Sequence, residues 1–325
     1  MRFAIMTAVI AVSAVTAAQA GNDFQGKIER SFPARDGGKI VVTTERGNID
    51  LTSWDRGEVS VVMTIGVSGV SDEDATKLIE RFAVDMRGDN GDVAVEVSYD
   101  KPLRPLRRQP SVRLTIQVPK RYNADLTTAG GDIALSSIEG TAEVRTSGGD
   151  VAVRQVSAGV RAITSGGDLM IVGIGGDVEA RTSGGDVTVR DATGSVQAAT
   201  SGGDIEVTGV GGEVEGRTSG GDVTVLGAKG SVVAITSGGD VTIAYDVSQL
   251  PLTEARTSGG DVTVSVLENA SARIDASTSS GSVECELPVS VLGKLGRGRL
   301  EGTLGGGGNV LTLRSAGGSI RLLKK

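Results

Sequence analysis

Residues 182–199 read TSGGDVTVRDATGSVQAA, and the way this stretch divides decides the fold. It splits into halves of about nine residues. The first is a turn at Gly184-Gly185 followed by Asp186-Val187-Thr188-Val189. The second is a turn at Gly194 followed by Ser195-Val196-Gln197-Ala198. Both runs alternate polar and apolar residues, the period-2 pattern of a strand with one buried face. Val187, Val189, Val196 and Ala198 are expected to point inward, and Asp186, Thr188 and Gln197 outward. The glycines are expected to supply the positive φ angles of tight corners.

The opening phrase TSGGD recurs. It begins at Thr146, Thr164, Thr182, Thr200, Thr218 and Thr236, with a TAGGD variant at Thr128 and a last full copy at Thr257. The interval is 18 residues from 128 to 236, then 21 twice, ending on the degenerate TSSGS at Thr278. A fixed period of this kind means a repeat architecture. The simplest solution is an all-β fold, a parallel β-helix-like solenoid in which each unit makes one coil and pairs with the coils before and after.

The coil holds either 18 or 36 residues. The residue before each phrase alternates, Arg145, Ile163, Arg181, Ala199, Arg217, Ile235, Arg256, which is a 36-residue super-period. Two positions earlier stand Glu143, Arg161, Glu179, Gln197 and Glu215. An 18-residue coil stacks Glu143 on Arg161 on Glu179, opposite charges at about 4.8 Å. A 36-residue coil stacks Glu143 on Glu179 on Glu215, so the charges favour 18.

Composition agrees. The 325 residues include 49 Gly and only 2% aromatics. That suits a thin interior of Val, Ile and Ala in which each coil rests on its neighbours. The formal net charge is −7, so nucleic acid is not an expected partner.

Residues 1–20 read as a signal peptide: Arg2, an uncharged apolar run from Phe3 to Ala18, and Ala18-Gln19-Ala20 as the cleavage site. The rival is an uncleaved anchor, for which the segment is barely long enough. After cleavage nothing later could span a membrane as a helix, and the expected location is the periplasm or cell surface. Cys285 alternates with Val283 and Leu287 and reads as a buried strand position.

The N-terminal region, 21–125, reads as a β-rich cap. Lys39 to Thr44 and Asn48 to Leu51 look like a hairpin turned around Glu45-Arg46-Gly47. Strands follow at Glu58 to Ile65, Val93 to Val97 and Val112 to Val118. Ser71 is a helix N-cap candidate with Asp74 three residues on, and Ala75, Leu78, Ile79 and Phe82 follow at helical spacing. That short helix is expected to cover an open sheet end. Lys101, Arg104, Arg107 and Arg108 lie in a proline-interrupted loop. It is either a solvated cover or a contact for an anionic glycan, a lipid headgroup or an acidic partner. Residues 126–281 are the solenoid, with Tyr245-Asp246 and Gln249-Leu250-Pro251 in a bulging loop. Residues 282–325 form a C-terminal β cap in which Ala316-Gly317-Gly318-Ser319 is a worn copy of the phrase.

The stretch GNIDLTSWDRGEVSV at 47–61, the strand ending in Val118-Pro119, the TSGGD series and the closing LTLRSAGGSIRLL at 311–323 carry a family resemblance. They resemble a bacterial domain-of-unknown-function family of putative adhesins with β-strand repeats, similar to the head domain of putative autotransporter adhesins. The resemblance implies an exported β-solenoid and adhesion, with no established catalytic residues.

The chain has no histidine, the commonest general base, and one cysteine, so no Ser-His-Asp set or zinc–thiolate site can form. SGGD is neither a nucleophile elbow nor a phosphate loop. The non-periodic candidates Trp54, Asp55, Tyr99, Tyr122, Tyr245 and Asp246 are scattered. The expectation is therefore a non-enzymatic protein, with a polysaccharide-acting β-helix enzyme as the less favoured reading.

The sharpest site is a ladder of Asp132, Asp150, Asp168, Asp186, Asp204, Asp222 and Asp240. Adjacent carboxylates about 4.8 Å apart repel by ~1 kcal/mol in water. Calcium could bridge them with turn carbonyls, or each Asp could bond the backbone of its own turn. The outward Thr188, Thr224, Thr242 and Thr263 form either a binding face for a regular polymer or an ordinary solvated face. The functional expectation is a cell-envelope binding module facing a glycan or a surface protein. The alternative is a periplasmic scaffold or stress-linked partner of a membrane protein, with the basic loop as its contact.

Overall fold

Alternating valines dictate the building block. In the computed structural model, which describes residues 23–68, 73, 81–99, 110–291 and 296–325, each 18-residue unit contributes two strands. The first is six residues long in most units, as in Val151–Val156, Leu169–Ile174 and Val187–Ala192, and four in Val223–Leu226. The second has four, as in Val160–Ile163, Val178–Arg181 and Val196–Ala199. Like strands of successive coils pair in parallel at an offset of 18, Val151↔Leu169↔Val187 in one sheet and Val160↔Val178↔Val196 in the other. Glu143 lies beside Arg161, and Arg161 beside Glu179, so the coil is 18 residues. Among the described residues the result is a two-sheet β-solenoid, with 14 strands in the first sheet and 15 in the second.

The core is the slot between the sheets. Val187, Val189, Val196 and Ala198 all point into it, each at most 2% exposed. The second inward position of the short strand is Val144 in the first coil and small in those that follow: Ala162, Ala180, Ala198, Gly216, Ala234, Ala255. At Gly216 even a Cβ would lie 3.0 Å from Val223 Cγ1 of the opposite sheet. The long strand departs from simple alternation. Ser137, Gln155, Gly173, Asp191, Gly209 and Gly227 all have positive φ, from 54° to 73°. This one-residue bulge lets Val156, Ile174, Ala192 and Val210 turn inward three positions after the previous core residue.

The positive φ angles expected of the phrase glycines are absent from them; among the solenoid glycines they occur at Gly173, Gly209 and Gly227. The phrase glycines serve close approach. A Cβ on Gly203 would sit 2.2 Å from the Gly185 carbonyl oxygen of the coil below.

Coil stacking continues into both cap regions, but out of chain order. Gly38–Thr44 lies between Tyr122–Thr128 and Asp92–Tyr99, and Asn48–Trp54 between Ile133–Ile138 and Ser111–Pro119. The expected hairpin is therefore wrong: its two arms belong to different sheets. Thr44-Glu45-Arg46-Gly47-Asn48 is a solenoid corner, with Thr44 paired to Thr128. At the other end, Val310–Ser315 lies between Thr253–Thr257 and Ala272–Thr278, and Ile320–Lys324 between Val262–Val266 and Val283–Cys285. The coil at 310–324 is threaded beneath the coil that precedes it in the chain. Antiparallel strands finish each end, including Asp23–Pro33 on Glu58–Ser68 and Arg299–Leu304 on Ala272–Thr278.

Phe82 opens a strand, Phe82–Asp89, and its ring meets Tyr99 edge-on at 4.8 Å. It does not end a helix. Of the rest of the expected helix only Glu73 and Arg81 are described, Glu73 in helical conformation and Arg81 in a turn; the remainder lies outside the described residues, as do residues 1–20 and the basic loop. Tyr245 and Leu250, expected in a bulging loop, are 0% and 1% exposed and fill the core where the period lengthens. The Tyr245 hydroxyl pairs with Thr253 Oγ1 at 2.6 Å. No helix of the described residues is long and apolar enough to cross a membrane.

Candidate functional site

Each letter of TSGGD has a separate job at the corner. The threonine is buried, and its Oγ1 donates to the second-glycine carbonyl of the coil below, at 2.7–2.9 Å for Thr146, Thr164, Thr182, Thr200, Thr218 and Thr236. The serine faces solvent. The second glycine lets the backbones touch. The aspartate is exposed and ties one coil to the next.

The aspartates do stack. The backbone N–H of Asp150 donates to Oδ1 of Asp132, and that of Asp168 to Oδ1 of Asp150. The series runs on through Asp186, Asp204, Asp222 and Asp240, at 2.7–3.0 Å throughout. Each carboxylate thus serves the neighbouring coil rather than its own turn. Asn48 Oδ1 begins the series by accepting from Asp132, and Asp261 Oδ1 accepts from Ser319 in the threaded coil. The Ser319 N–H, helped by Arg321 at 2.8 Å, holds the Asp261 carboxyl below the usual carboxylate range. The six residues from Asp150 to Asp240 are exposed. Among the described residues no group of three or more acidic or thiol side chains is placed to hold a metal ion.

The two flat outer faces carry different chemistry. On the first sheet Thr224, Thr242 and Thr263 are adjacent, while Glu206 separates Thr188 from Thr224. On the second sheet a glutamate–arginine pair recurs on every second coil: Glu143–Arg145, Glu179–Arg181, Glu215–Arg217 and Glu254–Arg256. Sequence reasoning had the signal for this row, the alternating residue before TSGGD, but used it only to size the coil.

The scattered candidates are structural. Tyr122 is buried and donates to the Gly91 carbonyl at 2.6 Å, and burial pushes its phenol up to about 12. Trp54 Nε1 donates to the Glu58 carbonyl at 2.7 Å, with Arg56 stacked over the ring. Asp55 pairs with Lys120, and Asp246 with Lys325. The structure does not gather them in one place. Cys285 is half-buried in its strand, and burial pushes its thiol up. An open concavity of about 790 Å³ lies beside the first corner, lined by Arg46, Asn48, Thr64, Ser111 and Arg113.

Two parallel sheets wound from one repeating coil define a β-solenoid. The chain belongs to the Toastrack DUF4097 family, whose profile matches residues 37–323. No curated protein matches it. Solved structures similar to it include the following three. A putative adhesin from Bacteroides fragilis is 15% identical with a TM-score of 0.39, covering 91% of this chain and 97% of that one. A putative cell adhesion protein from Clostridium sporogenes is 11% identical with a TM-score of 0.22, covering 92% and 100%. A putative lipid binding protein from Parabacteroides distasonis is 12% identical with a TM-score of 0.30, covering 91% and 96%. Similarity at this level carries no functional argument.

Proposed function

We propose that this protein is an exported, non-enzymatic solenoid that binds a glycan of the cell envelope or cell surface along a repetitive polar face. The observation that carries this reading is the repetition itself. Outward residues of the second sheet recur on every second coil, so a group that meets one coil meets its equivalent two coils on. Such a face matches a polymer better than a single small molecule. The carboxylates and arginines recur in the same way, which disfavours the unique cluster that catalysis needs. Export rests on the signal-like residues 1–20.

Protease accessibility of the native protein on intact cells, against cells whose outer layer has been opened, tests the location. Cleavage on intact cells agrees with a surface adhesin. Protection until opening directs attention to a periplasmic scaffold. Retention on insoluble envelope polysaccharide tests the binding; a protein that washes through every envelope fraction would end the glycan reading.

A further inference from the structure

The last outward residue of the short strand forms one straight row across the second sheet: Arg145, Ile163, Arg181, Ala199, Arg217, Ile235, Arg256. Arginines therefore stand two strand spacings apart, about 9.6 Å. Between them the row drops to short, half-buried residues, Ala199 between Arg181 and Arg217, and Ile235 between Arg217 and Arg256.

The arginines are held in a particular way. Glu179 accepts from Nε of Arg181 at 2.8 Å, and Glu215 from Nε of Arg217 at 2.5 Å. Glu254 also takes the Nε side of Arg256. The Nη ends of these three guanidiniums have no partner among the described residues. Each glutamate thus grips the side of the guanidinium and leaves its outer fork open. The three arginines are about half exposed, at 50–53%, and surface pairs of this kind contribute only ~0–1 kcal/mol. The pairing orients the fork without consuming it, and a free fork matches a carboxylate bidentately. The Asp ladder lies at the corner rather than on this face, so its carboxylates do not oppose an anion seated on the row.

We infer that the outer face of the second sheet binds an extended anionic glycan lying along the solenoid axis, with a carboxylate on every second sugar seated on Arg181, Arg217 and Arg256. This rests on the glycan-binding reading above and names its ligand class and its face. An extended β-linked chain advances by close to one strand spacing per sugar, so alternate sugars fall over arginines. The intervening rings lie apolar face down on Ala199 and Ile235. A polymer charged on every sugar would set half its carboxylates over these short residues, without a partner and partly desolvated.

The test uses fluorescence anisotropy with labelled oligosaccharides of equal length. Hyaluronan oligosaccharide carries a carboxylate on alternate sugars, oligomannuronate, also β-linked, on every sugar, and chito-oligosaccharide on none. The alternating probe should bind most tightly, and more weakly as salt rises. The triple substitution Arg181→Gln, Arg217→Gln, Arg256→Gln should weaken it by about tenfold or more. The corresponding triple lysine variant should fall between, because it keeps the charge and loses the fork. Thr224→Ala, Thr242→Ala, Thr263→Ala on the other sheet should change nothing.

Equal or tighter binding of oligomannuronate would overturn the inference, as would unchanged binding by the triple Gln variant. So would sedimentation showing copies that associate through this face and separate in that variant. If the triple Gln variant still holds envelope polysaccharide as the native protein does, the inference fails alone. If neither protein holds any, the glycan reading fails with it.

Discussion

The two glycines of the corner phrase look alike in the sequence and differ sharply in what they tolerate. A Cβ on Gly202 would meet its nearest neighbour, the Gly184 carbonyl oxygen, at 3.3 Å. On Gly203 it would strike the Gly185 carbonyl oxygen at 2.2 Å and Asp186 Oδ1 at 2.4 Å. Gly203→Ala must therefore push two coils apart, at a cost of about 1–3 kcal/mol, the usual range for overpacking. Gly202→Ala should stay within about 0.5 kcal/mol. Urea midpoints of the two variants measure the difference, and similar midpoints would refute this account of the phrase. The aspartates make a second prediction at this scale. Each Oδ1 from Asp132 to Asp240 already accepts a backbone proton, so the ladder holds together without a cation. Melting curves in millimolar calcium and in chelator should coincide; a marked rise in calcium would restore the metal reading of Asp150 to Asp240.

Strands and corners were partly legible in the sequence. The period, the inward valines and the coil length follow from alternation and charge, because a repeated pattern multiplies a weak local signal. The bulge did not show. Its residues are Ser, Gln, Gly, Asp, Gly and Gly at the same coil position, and only their shared backbone angle unites them. Gly209→Val places a β-branched side chain at φ 69° and should cost about 1–3 kcal/mol. Gly209→Asn should cost less, since asparagine tolerates this region. Thermal or urea unfolding of the pair decides it. The false hairpin has a related cause: Thr44-Glu45-Arg46-Gly47-Asn48 keeps the threonine, second glycine and a ladder acceptor, but has lost the letters that made the phrase visible. The threaded coils also predict an acid response. Asp92 and Asp261 both have lowered pKa values, Asp92 chiefly through the Lys39 backbone N–H and Asp261 through that of Ser319. A depressed carboxylate stabilises the fold above its unfolded value, 3.8 here, and loses that contribution as pH falls through its folded value. Stability should therefore drop below about pH 4. Asp261→Asn, which keeps the acceptor and loses the charge facing Arg321, should show a smaller drop between pH 7 and pH 3 in urea midpoint.

Across the whole molecule, the proposed binding face was half legible. The arginine alternation is plain in the letters, yet its meaning needs the register that makes it a row and the Nε grip that leaves each fork open. The order of the coils was not legible at all, because parallel pairing between distant segments leaves no local mark. That order bears on how the protein is made. A ribosome delivers the coil at 272–285 before the strands at 310–324 that must lie beneath it. The growing chain can wind each earlier coil of the central stack as it emerges, but it must hold this one apart until its support arrives. Winding therefore proceeds coil by coil through the middle and waits at the far end, where a nascent chain stopped short of residue 310 would leave the Thr253–Val266 coil without its neighbour and its strand edges open to another molecule.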